Sequence, residues 1–206
     1  MTPDEIERLF RRDGGYLFAR WGRPIVPVVF GVEDRTLAVV KGAIEAVVTL
    51  ARHKMAETDP ELGGNLMIFF FRDWDELMQL DGLEKMVPEI GDTVERLKRQ
   101  GANQYRFFRF EKTGEIKAAF VFLRMDDSLS AMAAEDLALA QAVQAILLWG
   151  EGAFAERSAL ARLPGGQVVL RPEIAGVIAA GYDPVLPGMA REPSHALRLF
   201  ARMQAG

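Results

Sequence analysis

The 206-residue chain contains no cysteine and only two histidines. The first absence removes disulfides, thiolate zinc sites and a cysteine nucleophile. The second leaves imidazole chemistry to His53 and His195, neither of which has a partner at metal-ligand spacing. No G-x-S-x-G elbow presents a serine to either ring. Long apolar runs are missing too. The nearest approach, residues 138–149, is broken by Gln141 and Gln144 and falls well short of the ~20 residues that cross a bilayer. Basic charge is in deficit, with 25 Lys and Arg against 29 Asp and Glu, so a phosphate backbone meets no generally attractive surface. The opening Met1-Thr2-Pro3-Asp4-Glu5 sets acids where a secretory signal carries basic residues. The expectation is a cytoplasmic protein with no nucleic-acid or membrane partner, exported only if a leader precedes it.

Half of the residues are hydrophobic and 26% are charged, the balance of an ordinary globular chain. At this length, roughly 70% of the unfolded surface can be buried without a staple. Arg8, Arg11, Arg12, Arg20 and Arg23 gather early, interleaved with Asp4, Glu5, Glu7 and Asp13. That pattern suggests a solvated helix surface of mixed charge. A helix is predicted over residues 3–12, stopped by Asp13-Gly14-Gly15. Residues 24–32 read as a short β-rich run whose Pro24 and Pro27 suggest an edge strand or a strand beginning after Pro27. With Asp34 as its cap, a long helix follows, its apolar face made by Leu37, Val40, Ile44, Val47, Val48, Ala51 and Met55.

Leu66–Phe71 is a continuous apolar run, as in a strand covered on both faces. Helical spacing returns over 83–100, interrupted by Pro88 and Gly91, and two strands at 105–111 and 117–124 are joined as a hairpin. An alanine-rich helix is predicted over 132–149, then loop with a little helix to 167, a helix from Pro172 to Gly181, and a last one from Ser194. The sum is a single α+β domain with α/β-type layers, a small mixed sheet of about four strands packed with several helices. Its parts are an N-terminal helix and turn (1–15), a core (16–190) and a C-terminal helix (191–206).

Asp73, Asp75 and Glu76 follow the buried strand, and Asp126 with Asp127 follows the last one. Carboxylates at strand ends suit a magnesium-dependent hydrolase or transferase, yet Asp and Glu are equally expected in turns and first helical turns. Gly63-Gly64 and Gly165-Gly166 precede strands and lack the Lys-Ser/Thr of a phosphate cradle, so both predict plain turns. Strand alternation puts Tyr105, Phe107 and Arg109 on one face and Arg106, Phe108 and Phe110 on the other. A base-stacking platform would segregate its aromatics; here arginine stems are expected to lie on apolar neighbours. His53 is expected in a last helical turn beside Arg52 and Lys54, and His195 in a first turn.

Three stretches carry a resemblance: Arg20-Trp21-Gly22-Arg23-Pro24-Ile25-Val26, Gln141-Ala142-Val143-Gln144-Ala145-Ile146-Leu147-Leu148, and Tyr182-Asp183-Pro184-Val185-Leu186-Pro187-Gly188-Met189. Together with the order strand, long helix, strand, hairpin, second long helix, they resemble a bacterial family of uncharacterised proteins with a zincin-like, metallopeptidase-type fold. In that fold the second long helix carries His-Glu-x-x-His. On this register the motif falls on Ala140-Gln141-Ala142-Val143-Gln144. Alanine offers no donor atom, and a glutamine amide is a poor base and a weak zinc ligand. The resemblance therefore implies a degenerate, non-catalytic member with no catalytic residue, metal or cofactor. It further implies a vestigial cleft where Gln141 and Gln144 offer amide hydrogen bonds to an extended peptide along an edge strand, with Tyr182 closing one side. The partner expected is a peptide or protein; an assembly subunit is the other non-enzymatic alternative. The missing signal departs from a family that is largely exported.

Overall fold

The computed structural model, which describes residues 1–205, is organised by a four-stranded mixed sheet. Its strands are β1 (Pro27–Phe30), β2 (Leu66–Phe71), β3 (Gln104–Phe110) and β4 (Ile116–Arg124), in spatial order β1-β2-β4-β3. β1, β2 and β4 run parallel, while β3 returns antiparallel against β4 as the outer strand of the predicted hairpin. Both prolines of the first run fall at or before the start of β1, where a missing ladder donor does least harm.

Alternation on the central strands divides the core between the two faces of the sheet. Leu66, Ile68, Ala119, Val121 and Leu123 face the two long helices. These are α2 (Asp34–Leu50) and α6 (Ala134–Ile146), which pack against each other. The opposite residues, Phe69, Phe71, Ala118, Phe120 and Phe122, face a layer made of a 3-10 turn at Trp74–Gln79, α3 (Leu83–Met86) and α4 (Ile90–Arg99). β4 is therefore sealed on both sides, with Phe122 and Val121 fully buried. Continuous apolar sequence in β2 and β4 is the cost of that double coverage. The ends of the chain join the α2/α6 side: α1 (Pro3–Leu9) and α7 (Pro172–Gly181) both pack on α8 (Ser194–Ala205). A short α5 (Asp127–Ser130) links β4 to α6.

Several boundaries differ from expectation for local reasons. The first helix stops at Leu9, because Arg11 and Arg12 pair with Gly15 and Tyr16 in a small hairpin. Glu33 rather than Asp34 caps α2, and Asp34 occupies the first helical position. That helix ends at Leu50, and Arg52 turns left-handed with φ 52°. His53 thus lies beyond the helix, not in its last turn. Pro88 splits the 83–100 segment into α3 and α4. The alanine-rich helix begins at Ala134 and ends at Ile146, since Leu147 leaves it to bridge Arg20. The region expected as loop holds a hairpin, Leu160–Arg162 against Val168–Leu170, turned by Gly165-Gly166. No helix among the described residues is long and apolar enough to cross a membrane.

Candidate functional site

α6 carries two polar assemblies, one at its middle and one at its end. At the middle, Gln141 is only 2% exposed and points at β3. Its Oε1 accepts from Nη2 of Arg106, and its Nε2 donates to Oε1 of Gln104 at 3.0 Å. The same Arg106 Nη2 donates to Gln104 Oε1 at 3.1 Å. Gln104 and Arg106 share a face of β3 because they are two residues apart on a strand, so the three side chains close a triangle between strand and helix. Nothing in the triangle is acidic. Burial is what acts on the Arg106 guanidinium, pulling its pKa down to about 10, which still leaves it charged at neutral pH. Its Nε is buried with no hydrogen-bond partner. On its other side β3 has no strand partner among the described residues.

Gln144 lies one turn further along the same helix face and is partly exposed. Ala140 stands beside it, with no donor atom to add. Among the described residues, no group of three or more His, Asp or Glu side chains is placed to hold a metal ion.

Tyr182 belongs to the second assembly, at the end of α6. Its hydroxyl donates to the carbonyl of Ile146 at 2.7 Å and accepts from the backbone N–H of Trp21 at 3.3 Å. Trp21 Nε1 donates to the carbonyl of Ala145 at 2.9 Å, so two of the last carbonyls of the helix are satisfied by side chains. Arg20 stacks over the Tyr182 ring at 5.7 Å and donates to the carbonyls of Gly181, Asp183 and Leu186 at 3.1–3.2 Å. The short pairing of Phe18–Ala19 with Met189–Ala190 extends the contact. All three stretches singled out in the sequence therefore meet at one point, though 162 positions separate Arg20 from Tyr182. Burial raises the Tyr182 hydroxyl above the ordinary tyrosine range. The structure thus brings Gln141 against β3, leaves Gln144 one turn further along α6, and ties Tyr182 into the knot at its end.

Neither histidine joins these assemblies as a ligand. His53 hydrogen-bonds the Arg23 carbonyl through Nε2 at 2.9 Å and packs its ring 5.0 Å from Tyr182. His195 is fully buried, its Nδ1 2.8 Å from the Tyr16 hydroxyl and its ring 4.4 Å from Phe18. Burial, with Arg198 and Arg20 nearby, pulls it down to about 4, so it is neutral at pH 7.

The early arginines are not one solvated helix surface. Arg20 and Arg23 lie past α1 in specific nests. Arg23 meets Asp59 at 3.1 Å, Glu61 at 3.4 Å and Glu111, a network that ties the 59–65 turn to the β3–β4 hairpin. Burial opposes ionisation of Asp59, but the backbone N–H groups of Leu62 and Glu61, with Arg23 and Asn65, outweigh it and hold the carboxyl at about 2.

Four of the five strand-end carboxylates are engaged locally, and Asp127 opens α5. Asp73 and Glu76 form a capping box on the 3-10 turn, and Asp75 pairs with Lys98. Asp126 accepts from Leu129 N–H at 3.0 Å, which holds its carboxyl below the usual range. Above the ends of β1 and β2 sits an apolar cavity of about 320 Å³, lined among others by Gly31, Val40, Phe70, Leu129 and Leu137. A second, of about 350 Å³, lies on the other face under Phe30 and Leu80. Sequence reasoning passed over Gln104 and treated Arg106 as an arginine stem on apolar neighbours. The one available signal was the alternation that turns Arg106 to the same side as Phe108.

No family model matches this chain, and no significant match appears among curated proteins or solved structures.

Proposed function

We propose that the chain is a non-catalytic binding domain of zincin-like layout, which takes an extended peptide along β3 above α6. Support comes first from chemistry: on the helix face where a peptidase of that layout would need two imidazoles and a carboxylate, this chain has Ala140, Gln144 and Gln141. The observation that carries the reading is the Gln104–Arg106–Gln141 triangle, polar groups held between an outer strand and a helix. An outer strand offers main-chain hydrogen bonds to an added strand, and side chains beside it supply selectivity. Gln141 acts by holding Arg106, and Gln144 stands further along the same face to meet the ligand.

The test is amide hydrogen exchange on the protein with and without a pool of extended hexapeptides, alongside calorimetry with zinc chloride. Slowed exchange confined to Gln104–Phe110, with no stoichiometric zinc uptake, is the expected outcome. Tight zinc binding at residues 140–144, or peptides that leave β3 exchange unchanged, would overturn it. A second reading, an assembly subunit, draws on the exposed apolar side chains of Phe30 and Leu80 beside the cavity on the opposite face. Sedimentation at rising concentration decides it: a species that stays monomeric removes that alternative.

A further inference from the structure

Resting on the peptide reading, we propose that Arg106 is the selectivity element of the β3 site and takes a carboxylate of the bound segment. Three other partly buried arginines have their partners inside the protein. Arg23 has three carboxylates, Arg124 has Asp126, and Arg20 has three backbone carbonyls. Arg106 alone of these rests on two side-chain amide oxygens, and both contact the same nitrogen, Nη2. Nε is buried without a partner, and Nη1 makes no hydrogen bond to the described residues while keeping access to solvent.

A guanidinium cannot escape this position by losing its proton, as a lysine or histidine would. Its charge is largely withdrawn from water and has no acid against it, an arrangement that costs free energy unless an anion completes it. The holders are suited to that incomplete state. Gln141 and Gln104 also bond each other, which fixes the plane of the fork while leaving its charge intact. A carboxylate at either position would have fixed the fork and neutralised it as well. Neutral holders around a fixed cation, beside a strand edge open to a peptide, fit recognition of an anionic group delivered by that peptide. A carboxylate matches the fork in geometry and charge.

Three hexapeptides of one extended sequence test this. One has a central Glu and an amidated end, one a central Gln and a free C-terminal carboxylate, and one a central Gln and an amidated end. Sodium acetate alone is a fourth probe. Binding is followed by calorimetry and by the Arg106 Nε–Hε NMR resonance, on wild-type protein and on Arg106→Met, Gln141→Glu and Arg109→Gln. Wild-type protein is expected to prefer one carboxylate-bearing peptide over the neutral one by about tenfold or more, the scale of one charge-assisted hydrogen bond. Whichever peptide wins names the source, a side chain or a chain end.

The preference should vanish in Arg106→Met and persist in Arg109→Gln, which alters the opposite face of the same strand. Gln141→Glu supplies the missing anion from within: the preference should be lost while the thermal midpoint rises by about 2–4 °C. Equal binding of all three peptides to wild-type protein would overturn the carboxylate proposal and leave the peptide site standing. Acetate shifting the Arg106 resonance while no peptide binds would do the reverse. Silence from every probe would remove both.

Discussion

Two arginines meet α6, Arg106 at its middle and Arg20 at its end, and they differ in what remains unsatisfied. Arg20 donates to three carbonyls through both Nη atoms and lies on an aromatic ring, so both ends of its fork are engaged. Arg106 has two amide oxygens on one nitrogen and an orphaned Nε. Both are partly buried, and neither has an acid against it. The difference teaches that surroundings, rather than residue type, decide whether a buried cation acts as a clamp or as half of an interaction awaiting its other half. A filled fork stabilises; an unfilled one costs stability and keeps binding capacity.

The largest effect is expected at the clamp. Arg20→Ala leaves the carbonyls of Gly181, Asp183 and Leu186 without their donor and frees the 182–189 loop. A loss of about 3–5 kcal/mol by urea unfolding is the outcome this packing requires. Lysine at the same position should recover little, because a single ammonium cannot span three carbonyls in a fixed fan. A loss under about 1 kcal/mol for Arg20→Ala would erase the contrast between the two ends of α6. Tyr182→Phe removes the hydroxyl that joins Ile146 to Trp21, and about 1–2 kcal/mol should go with it. Because both changes act on one knot, the double variant should cost less than the sum of the singles.

How legible this was in the sequence differs between the same two regions. Apolar period announced the sheet and its long helices, since Leu66, Ile68, Phe69 and Phe71 and the face made by Val40, Ile44, Val47 and Val48 are buried as their spacing requires. The end of α6 was not legible. Alanine-rich sequence favours helix through Leu147 and Leu148, but those residues leave it to pair with Ala19 and Arg20, partners more than 120 positions away. The 160–170 hairpin escaped because three-residue strands carry too few positions to show a period. The triangle at Arg106 escaped for another reason. Gln104 and Gln141 look like surface residues one at a time, and only the docking of β3 beside α6 makes them holders of a cation.

His195 sharpens the comparison from a third position, being a buried base that is able to discharge. Its Nε2 also lacks a partner, but the ring sheds its proton where Arg106 cannot. With a folded pKa of about 4 against an unfolded value of about 6.5, the native state binds fewer protons than the unfolded chain between those limits. Stability therefore falls as pH drops from 6.5 towards 4 and levels off below that range. Asp59, held at about 2, contributes a second loss at lower pH, as its carboxyl is protonated through the ordinary aspartate range and below. Urea midpoints measured from pH 8 to pH 3 should show the first decline flatten in His195→Gln, even though that variant starts less stable. An unchanged slope would assign the decline to other groups.

The smallest effect, and the one that most directly tests the idea of an unfilled fork, is expected at Arg106 itself. Arg106→Met removes a buried charge and leaves a side chain of similar length among apolar neighbours. It also takes the donor from Gln141 Oε1, although Gln141 Nε2 keeps its bond to Gln104. These contributions oppose each other, so stability should stay within about 1 kcal/mol of the wild type. For an arginine with two hydrogen bonds and little exposure, a result so close to neutral is unusual, and it follows only if the charge is poorly compensated at rest. A loss as large as that of Arg20→Ala would mean that the fold itself depends on Arg106, and an anion would then have nothing left to complete.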